Sequence, residues 1–370
     1  MSKSGEIRKK NRKKTIFTVI GLILATIIAL AVAYLLYVFS VYHRIDDHQL
    51  IQTAPAVNQS AEIGTAVSLE QEYTIVTYNV GFGAYSPDYT FFMDGGKSSW
   101  AKSKESATSL ITGAGDLSLS FEPDFVLLQE IDVDSTRTYH LDELELLRNK
   151  LSDYVSNFAV NYDSPFLLYP FYEPHGSSYA GIATFSKYDI TSAERRSLPI
   201  SSSMSKFVDL DRCYSVSRIP TENGKELIII NVHMSAYGSS PEVRAGQTAM
   251  LREEMEKEYA AGNYVIVGGD YNHNLKLYDD YGNMGWAKAY GRDLIPETFT
   301  FAIDLLDEEI RYQMHNSCRD SGKPVGVYNN TITLDGFIIS DNIECIEYYN
   351  YDSGYLYSDH DPVVMTFVLK

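Results

Sequence analysis

The feature that most restricts how this chain can fold is an uncharged run near its amino terminus. Residues 15–39 contain no acidic or basic side chain and are almost entirely apolar. At a rise of about 1.5 Å per residue, an α-helix over this run is about 37 Å long, enough to cross a hydrocarbon core of about 30 Å with some tilt. A cleaved signal peptide has a shorter apolar region, of about 7–15 residues. The run therefore predicts a transmembrane helix over residues 15–39.

Charge is distributed unevenly on the two sides of this run. Seven basic residues and one acidic residue lie in the first 14 positions, whereas the whole chain has a formal net charge of −18. Because basic residues before a span stay in the cytoplasm, we expect a cytoplasmic tail over 1–14, a single-pass anchor in the cell membrane and an extracellular remainder. The acidic remainder repels nucleic acid and anionic lipid at long range, although a bound cation dominates its own surroundings.

The part of the chain after the apolar run divides into a polar segment and one large domain. Residues 40–72 show few strong patterns and are predicted to be a juxtamembrane linker. From residue 73 to residue 370, apolar strands alternate with helices. Strands are predicted over 73–80, 124–132, 180–186, 226–234, 263–274, 331–340 and 363–369, and helices over 97–113, 141–155 and 241–260. Strands that are apolar on both faces favour sheets covered by helices.

Cysteine usage gives only a weak constraint. Cys213, Cys318 and Cys345 form no C-x-x-C pair, so a structural zinc site is not indicated. The odd number excludes complete pairing within the chain, and a Cys318–Cys345 bridge stays open.

Polar side chains stand at the ends of the apolar strands. They are Asn79, Glu130, Asn231, His233, Asp270, Asn272, Asp335, Asp359 and His360. One Asn or Glu at a strand end is usually a cap or a turn former. Polar residues at so many strand ends instead indicate one shared rim, which is where α/β folds build their sites.

The acidic members of this set favour a hard divalent cation. Asn79, Glu130 and Asp359 offer only oxygen ligands, which suits the octahedral coordination of Mg²⁺. The set contains too little His and Cys for a typical zinc site.

His360, His233 and Asn272 are suited to activate water or to stabilise negative charge in the reaction. His360 lies between two carboxylates in S-D-H-D-P-V, and such surroundings suit a group that activates water. His233 and Asn272 are donors that can stabilise charge developing on phosphoryl oxygens. Together with a cation, these residues indicate attack by water on a phosphate ester.

Seven motifs in a fixed order give the chain a family resemblance. They are T-Y-N-V at 77–80, L-L-Q-E at 127–130, Y-A-G-I-A-T-F-S-K at 179–187, N-V-H at 231–233, G-G-D-Y-N at 268–272, L-D-G-F-I-I-S at 334–340 and S-D-H-D-P-V at 358–363. As an ordered set they resemble the endonuclease/exonuclease/phosphatase superfamily, which includes deoxyribonuclease I-like enzymes, apurinic endonucleases, neutral sphingomyelinases and inositol polyphosphate 5-phosphatases.

The resemblance implies a four-layer α/β sandwich, with two mixed sheets packed face to face and helices outside. It implies hydrolysis of a phosphoester that depends on Mg²⁺, with Mn²⁺ as the alternative, by in-line attack of water. By this resemblance Asn79, Glu130 and Asp359 are metal-site residues, His233 contacts the phosphate on the leaving-group side, Asp270 orients the water, Asn272 is a transition-state donor and Asp335 orients His360.

Two departures from the family pattern bear on the substrate. Residues 81–100 form a long aromatic connection after the first strand, predicted to pack under the loop, with a role in shaping the substrate pocket or contacting lipid as the alternative. The segment before Ala180 offers no obvious acidic partner for His233, and Glu173 and His175 are the nearest polar groups in sequence.

Several functions fit these features. A membrane-anchored phosphodiesterase or nuclease is the first, with nucleic acid or a phospholipid head group as substrate. A sphingomyelinase-like lipid phosphodiesterase and a phosphomonoesterase are the alternatives, and the latter needs a closed pocket with several Lys or Arg that the sequence does not reveal. An inactive anchored binding domain is disfavoured by the complete polar set. No obligate protein partner is indicated.

Overall fold

The structure is a computed structural model that describes residues 3–201, 210–236, 240–276, 287–327 and 330–370. The chain divides into two compact units, 1–43 and 44–370. The first is helix α1 (Lys3–Val41), which contains the predicted span and extends past both of its ends. An 18-residue stretch within its segment Asn11–Val41 has a mean hydropathy of 2.8, and the segment is long and apolar enough to cross a membrane. Residues 1 and 2 of the predicted tail lie outside the described part.

The second unit contains short helices and many strands. The helices are α2 (Lys104–Leu119), α3 (Glu143–Lys150), α4 (Pro241–Ala260) and α5 (Glu308–Gln313). The strands are β1 (Gln49–Ile51), β2 (Glu72–Asn79), β3 (Phe125–Asp132), β4 (Val155–Leu167), β5 (Gly176–Ser186), β6 (Ser192–Ser197), β7 (Cys213–Pro220), β8 (Glu226–His233), β9 (Tyr264–Asp270), β10 (Phe299–Phe301), β11 (Cys318–Arg319), β12 (Thr331–Ile332), β13 (Asp335–Ser340), β14 (Ile343–Asn350) and β15 (Val363–Leu369).

The strands form two large mixed sheets. One has the order β1-β6-β7-β8-β9-β13-β10, the other has the order β14-β15-β2-β3-β5-β4, and β11 pairs with β12. Two pairs are parallel, β2 with β3 and β8 with β9. Each parallel pair lies in the middle of its sheet, where both faces are covered, as the apolar runs of these strands require.

Alternation along the central strands builds the layers. Ile75 and Leu127 point into the core between the sheets, whereas Tyr78 and Leu128 point to the opposite face, which α2 and α3 cover. Leu251 of α4 packs against the other sheet as part of the inter-sheet cluster. The predicted four-layer sandwich is confirmed.

The amino-terminal boundary of this unit differs from the prediction. The sequence predicts a linker over 40–72, but the compact unit begins at residue 44. β1 pairs with β6 in this region, and Ala54, Gly64 and Val67 form isolated bridges to the sheets. Backbone pairing holds this polar segment on the domain, which an absence of apolar periodicity does not reveal.

Helix ends are set by local caps. The predicted helix over 97–113 is observed as α2, which ends six residues later than predicted. Its start is set by Ser103, which caps the amino terminus by accepting from Ser106 N. Asp142 caps α3 in the same way. Ser240 caps α4, whose bounds match the predicted 241–260.

A buried amide pair joins the two sheets beneath the rim. Gln129 of β3 donates from Nε2 to Asn231 Oδ1 of β8 at 2.8 Å. Asn231 Nδ2 donates in turn to the carbonyl oxygens of Ala183 at 2.9 Å and Leu128 at 3.3 Å. Asn231, one of the polar strand ends, is therefore a structural cross-link between the sheets.

Replacing Asn231 by Leu should lower the free energy of unfolding by about 2 kcal/mol, because it leaves the Gln129 amide buried without its partner. Adding Gln129→Leu should cost less than the sum of the two single changes, since apolar side chains then face each other. Chemical denaturation of the full-length chain and its variants measures both effects. Additive losses would show that the two amides act independently.

Candidate active site

The predicted site residues meet at one rim of the sandwich. β2, β3, β8 and β9 end there, and β13 and β15 begin there because they run antiparallel to β9 and β2. The register places Asp270 opposite both His233 and Asp335. Neighbouring strands hold such partners about 5 Å apart, so sheet pairing alone brings these three side chains together.

Glu130 reaches the rim through an irregularity in β3. Its φ is 58°, and the pairing of β3 with β5 shifts register between Leu128 and Ile131. A bulge of this kind re-aims a side chain, and a non-glycine residue in the left-handed region is a strain typical of functional sites. Glu130 Oε1 accepts a hydrogen bond from Asn79 Nδ2 at 3.1 Å.

Asn79 connects the carboxylates of the two sheets. The same Nδ2 that donates to Glu130 lies 3.2 Å from Asp270 Oδ2. Its Oδ1 accepts from Gly81 N at 3.0 Å, which fixes the amide orientation. Gly81 has a φ of +55°, and a Cβ there would lie 2.9 Å from Ser358 Oγ and 3.2 Å from Asp359 Oδ1. The backbone after β2 therefore passes directly under Asp359.

Asp335 orients His360. Asp335 Oδ2 accepts from His360 Nδ1 at 2.7 Å and from Ser317 Oγ at 2.7 Å. This leaves His360 Nε2 facing Asp270 Oδ2 at 4.0 Å. Burial lowers the pKa of His360, but the Asp335 charge and hydrogen bond, together with Cys318, outweigh burial, so the pKa is raised well above its ordinary value. These surroundings favour the imidazolium form of His360, with Nε2 toward Asp270.

His233 is held in the opposite state. Its Nε2 lies 3.7 Å from Glu130 Oε1 and 3.6 Å from Asp270 Oδ2. Burial, with smaller contributions from the charges of Arg212 and His360, lowers its pKa well below the ordinary value. A neutral imidazole at this point can donate one hydrogen bond into the cleft.

The partner of His233 is an amide. Asn161 Nδ2 on β4 lies 3.4 Å from His233 Nδ1. Glu173 instead accepts from Ser99 N at 2.7 Å and ties down the aromatic connection. Asn161 could not be found from the sequence, because β4 has no apolar run to mark it as a strand.

Asn272 is positioned by the turn after β9. It has a φ of 51°, and its backbone N–H donates to Asp270 Oδ1 at 2.8 Å. Its side-chain Nδ2 donates to the Met234 carbonyl at 2.9 Å and lies 3.2 Å from Asp270 Oδ2. The amide is thus beside the carboxylate cluster, with its donor group aimed at Asp270.

The carboxylates at the rim carry more negative charge than the neighbouring side chains neutralise. Burial, and then the Asp335 charge, raises the pKa of Asp270 to about 7. Burial also raises the pKa of Asp359 to about 7, with Glu130 adding to the shift and His360 opposing it. Asp335 Oδ1 is buried and has no hydrogen-bond partner. Clustered oxygen donors that are costly to ionise fit a divalent cation, which would stabilise their charged forms.

The rim opens into a cleft of about 210 Å³. Besides the site residues, its wall includes Phe82, Tyr85, Phe91, Asp94, Arg137, Asn161, Tyr162, His175, Arg212 and Arg319. The three arginines were not predicted. Arg212 directly precedes β7, and Arg319 is the second residue of the two-residue strand β11, so no apolar strand end indicated them.

The aromatic connection over 81–100 both packs and shapes the cleft. Phe82, Tyr85 and Phe91 form a buried cluster, and Trp100 donates from Nε1 to the Pro174 carbonyl at 2.7 Å. The predicted packing role is confirmed. Because Phe82, Tyr85 and Phe91 also line the cleft, the same side chains form its aromatic wall.

All three cysteines are free thiols in the structure, so the Cys318–Cys345 bridge is not formed. Cys318 is buried and pairs with the His360 backbone as an isolated bridge.

Comparison with known proteins agrees with this geometry. Residues 76–304 match the family model described as Endonuclease/Exonuclease/phosphatase family. An endonuclease/exonuclease/phosphatase from Beutenbergia cavernae is 14% identical with a TM-score of 0.54, over 81% of this chain and 72% of that chain. The human Nocturnin catalytic domain with bound sulfate anion is 16% identical with a TM-score of 0.52, over 81% of this chain and 95% of that chain.

A third structure, D. rerio TDP2 complexed with single strand DNA product, is 15% identical with a TM-score of 0.51, over 80% of this chain and 99% of that chain. At such identities the likeness shows a shared fold. No curated protein matches the chain. Since the family model spans more than half of the sequence, the chain belongs to the endonuclease/exonuclease/phosphatase family. Enzymes of this family are divalent-metal-dependent phosphoester hydrolases.

In the presence of a chelator, the melting temperature of the full-length chain should fall as the pH rises from about 6.5 to about 8. Asp270 and Asp359 have a pKa of about 7 in the folded protein, against about 4 in an unfolded chain. The folded state therefore binds more protons in this range and loses that advantage as the pH rises, and the raised pKa of His360 acts in the same direction. Below about pH 6.5 the lowered pKa of His233 acts in the opposite direction, because the unfolded chain then binds a proton that the buried ring does not.

Mg²⁺ should raise the melting temperature more at pH 8 than at pH 5, because its ligands must be ionised. Differential scanning fluorimetry with MgCl₂ or EDTA measures the difference. Asp359→Asn should weaken this pH dependence. Asp116→Asn, at a side chain that is 58% exposed on α2, should not. A Mg²⁺ effect of equal size at both pH values would contradict the assignment.

Proposed function

We propose that the chain is a membrane-anchored phosphodiesterase, with a nuclease activity as its most direct form, that hydrolyses its substrate by in-line attack of water. The observation that carries this proposal is the pairing of an oriented His360–Asp335 dyad with Asp270, whose pKa lies near neutrality. Proton acceptor, proton donor and cation ligands then occupy one rim, as phosphoester hydrolysis requires.

Asp270 is the proposed proton acceptor for the attacking water. Its pKa of about 7 is matched to proton transfer at neutral pH. His360, kept cationic by Asp335, would stabilise the negative charge that develops on the phosphoryl oxygens. His233 donates from a neutral ring on the leaving-group side, and Asn272 is the second neutral donor. The roles of these five residues remain proposals.

Asn79, Glu130 and Asp359 are the proposed metal residues. Glu130 is accessible at the rim, with its side chain 26% exposed. Asp270, Asp335 and His360 also place ligand atoms within 4.8 Å of one another, but the 2.7 Å hydrogen bond already occupies His360 Nδ1 and Asp335 Oδ2. A bound Mg²⁺ or Mn²⁺ would neutralise the carboxylates and polarise a phosphoryl oxygen.

Two observations bear on the substrate. D. rerio TDP2, which shares the fold, is complexed with a single-stranded DNA product, which supports nucleic acid. A phosphomonoesterase is the second candidate, because the cleft has the arginine-lined wall that such an activity needs, with Arg137, Arg212 and Arg319 around it. A phospholipid head group shares the same phosphoester chemistry.

The proposed location is the cell membrane, with the tail over 1–14 in the cytoplasm, residues 15–39 in the bilayer and the catalytic domain outside. The length and hydropathy of α1 support the span. The cluster of basic residues before it supports the orientation.

The first test is nicking of supercoiled plasmid by the full-length chain in detergent, with MgCl₂ or EDTA. His360→Ala should lower the rate by about 10³-fold, because it removes the cation facing the phosphoryl group. His140→Ala is the matched control. His140 also pairs with an aspartate, Asp134, but its side chain is 61% exposed, so this variant should keep the full rate.

Parallel assays with bis(p-nitrophenyl) phosphate, p-nitrophenyl phosphate and phospholipid vesicles separate the substrate classes. Activity that needs neither Mg²⁺ nor His360 in any assay would refute the proposed mechanism. Hydrolysis of the monoester alone would select the phosphomonoesterase.

External protease added to intact expressing cells should degrade the domain that begins at residue 44 and leave an amino-terminal tag protected. Immunoblotting for tags at both ends measures this. A domain that becomes sensitive only after lysis would place it in the cytoplasm.

A further inference from the structure

Arg319 holds two unused hydrogen-bond donors beside the cleft. The residue lines the cleft wall and is only 1% exposed. Its Nη1 donates to the carbonyl oxygens of Lys323 at 3.2 Å and Asp320 at 3.4 Å. Its Nε and Nη2 have no hydrogen-bond partner. Burying a guanidinium with two unsatisfied donors costs free energy unless a ligand accepts hydrogen bonds from those donors.

Arg137 shows what the same pair of nitrogens does when satisfied. In this second arginine of the cleft, Nε and Nη2 donate side by side to the two oxygens of Asp132, each at 2.9 Å. The guanidinium also lies over the Phe82 ring, 3.7 Å from its centroid. Nε and Nη2 of Arg319 form the same planar fork, which matches the oxygens of a phosphate or carboxylate.

Arg319 adjoins Asp359 and the aromatic connection. Its backbone N–H donates to the Asp359 carbonyl at 2.9 Å. In the neighbouring wall, Phe91 N donates to the Ser321 carbonyl at 3.0 Å. Arg212, whose Nε and Nη1 are also buried without a hydrogen-bond partner among the described residues, instead acts electrostatically on His233.

We propose that the substrate is a small phosphoester carrying a second phosphate, and that Arg319 binds this second phosphate through Nε and Nη2. The inference rests on the proposed function, since it takes the rim as the place of the scissile phosphate. A cleft of about 210 Å³ is small for a ligand site, which is typically about 300–1,000 Å³. This size favours one compact bisphosphate over a broad surface for a strand.

The test compares adenosine 3′,5′-bisphosphate with adenosine 5′-monophosphate and a pentathymidylate, using the full-length chain in detergent with MgCl₂. Binding is measured by calorimetry in an Asp270→Asn background, so that turnover does not consume the ligands. Arg319→Met should weaken binding of the bisphosphate by at least about 30-fold, and that of the monophosphate by much less. Arg319→Lys should lie between, because it keeps the charge and loses the fork.

Two controls exclude a merely structural role. Arg319→Met should change the melting temperature less than Arg137→Met does, because the loss of two Nη1 hydrogen bonds is offset by removal of a buried fork with unsatisfied donors. Arg137→Met should lower the melting temperature, because it leaves the buried Asp132 carboxylate without its cation. Arg252→Met makes the same change of charge at a side chain that is 40% exposed on α4 and should not affect binding.

Equal losses for monophosphate and bisphosphate would overturn the proposal. An Arg319 effect seen only with pentathymidylate would overturn the small-molecule assignment. Bisphosphate binding that depends on Arg319, in a chain that hydrolyses no phosphoester, would uphold the subsite and refute the proposed function. Hydrolysis without any preference for a second phosphate would uphold the proposed function and refute the subsite.

Discussion

The structure depends on the burial of several carboxylates at the point where two sheets meet. Glu130, Asp270, Asp335 and Asp359 converge at one rim, where His360 pairs with Asp335. Burial and mutual repulsion raise the pKa of Asp270 and Asp359 to about 7, so the charged forms of these carboxylates are unfavourable without a cation. The same cost underlies both parts of the proposed function, binding of a divalent cation and transfer of a proton near pH 7.

The fold supplies the rigidity that this arrangement needs. Register between β8, β9 and β13 fixes His233, Asp270 and Asp335 on adjacent strands, and the Gln129–Asn231 bond holds the sheets together just below them. A bulge at Glu130 then turns one more carboxylate into the cluster. Side chains held by strand pairing keep their geometry better than side chains on loops.

The cleft wall adds what the family motifs do not contain. The connection over 81–100 contributes an aromatic side, and Arg137, Arg212 and Arg319 contribute positive charge inside a chain that is acidic overall. One of these guanidinium groups is neutralised by Asp132, and two have unpartnered nitrogens. This contrast separates a structural ion pair from groups placed to meet an anionic ligand.

The sequence by itself determined the apolar helix, the central strands and the rim residues. These follow from local signals, namely an uncharged run, continuous apolar strands and polar residues at their ends. Only the tertiary structure decided the rest. β4 and β6 are polar in sequence and become strands because neighbours satisfy their side chains, as Ser217 does for Asn157. Arg319 and Asn161 reach the cleft through such segments, and a buried polar group is favourable only when the distant parts of the fold that surround it are in place.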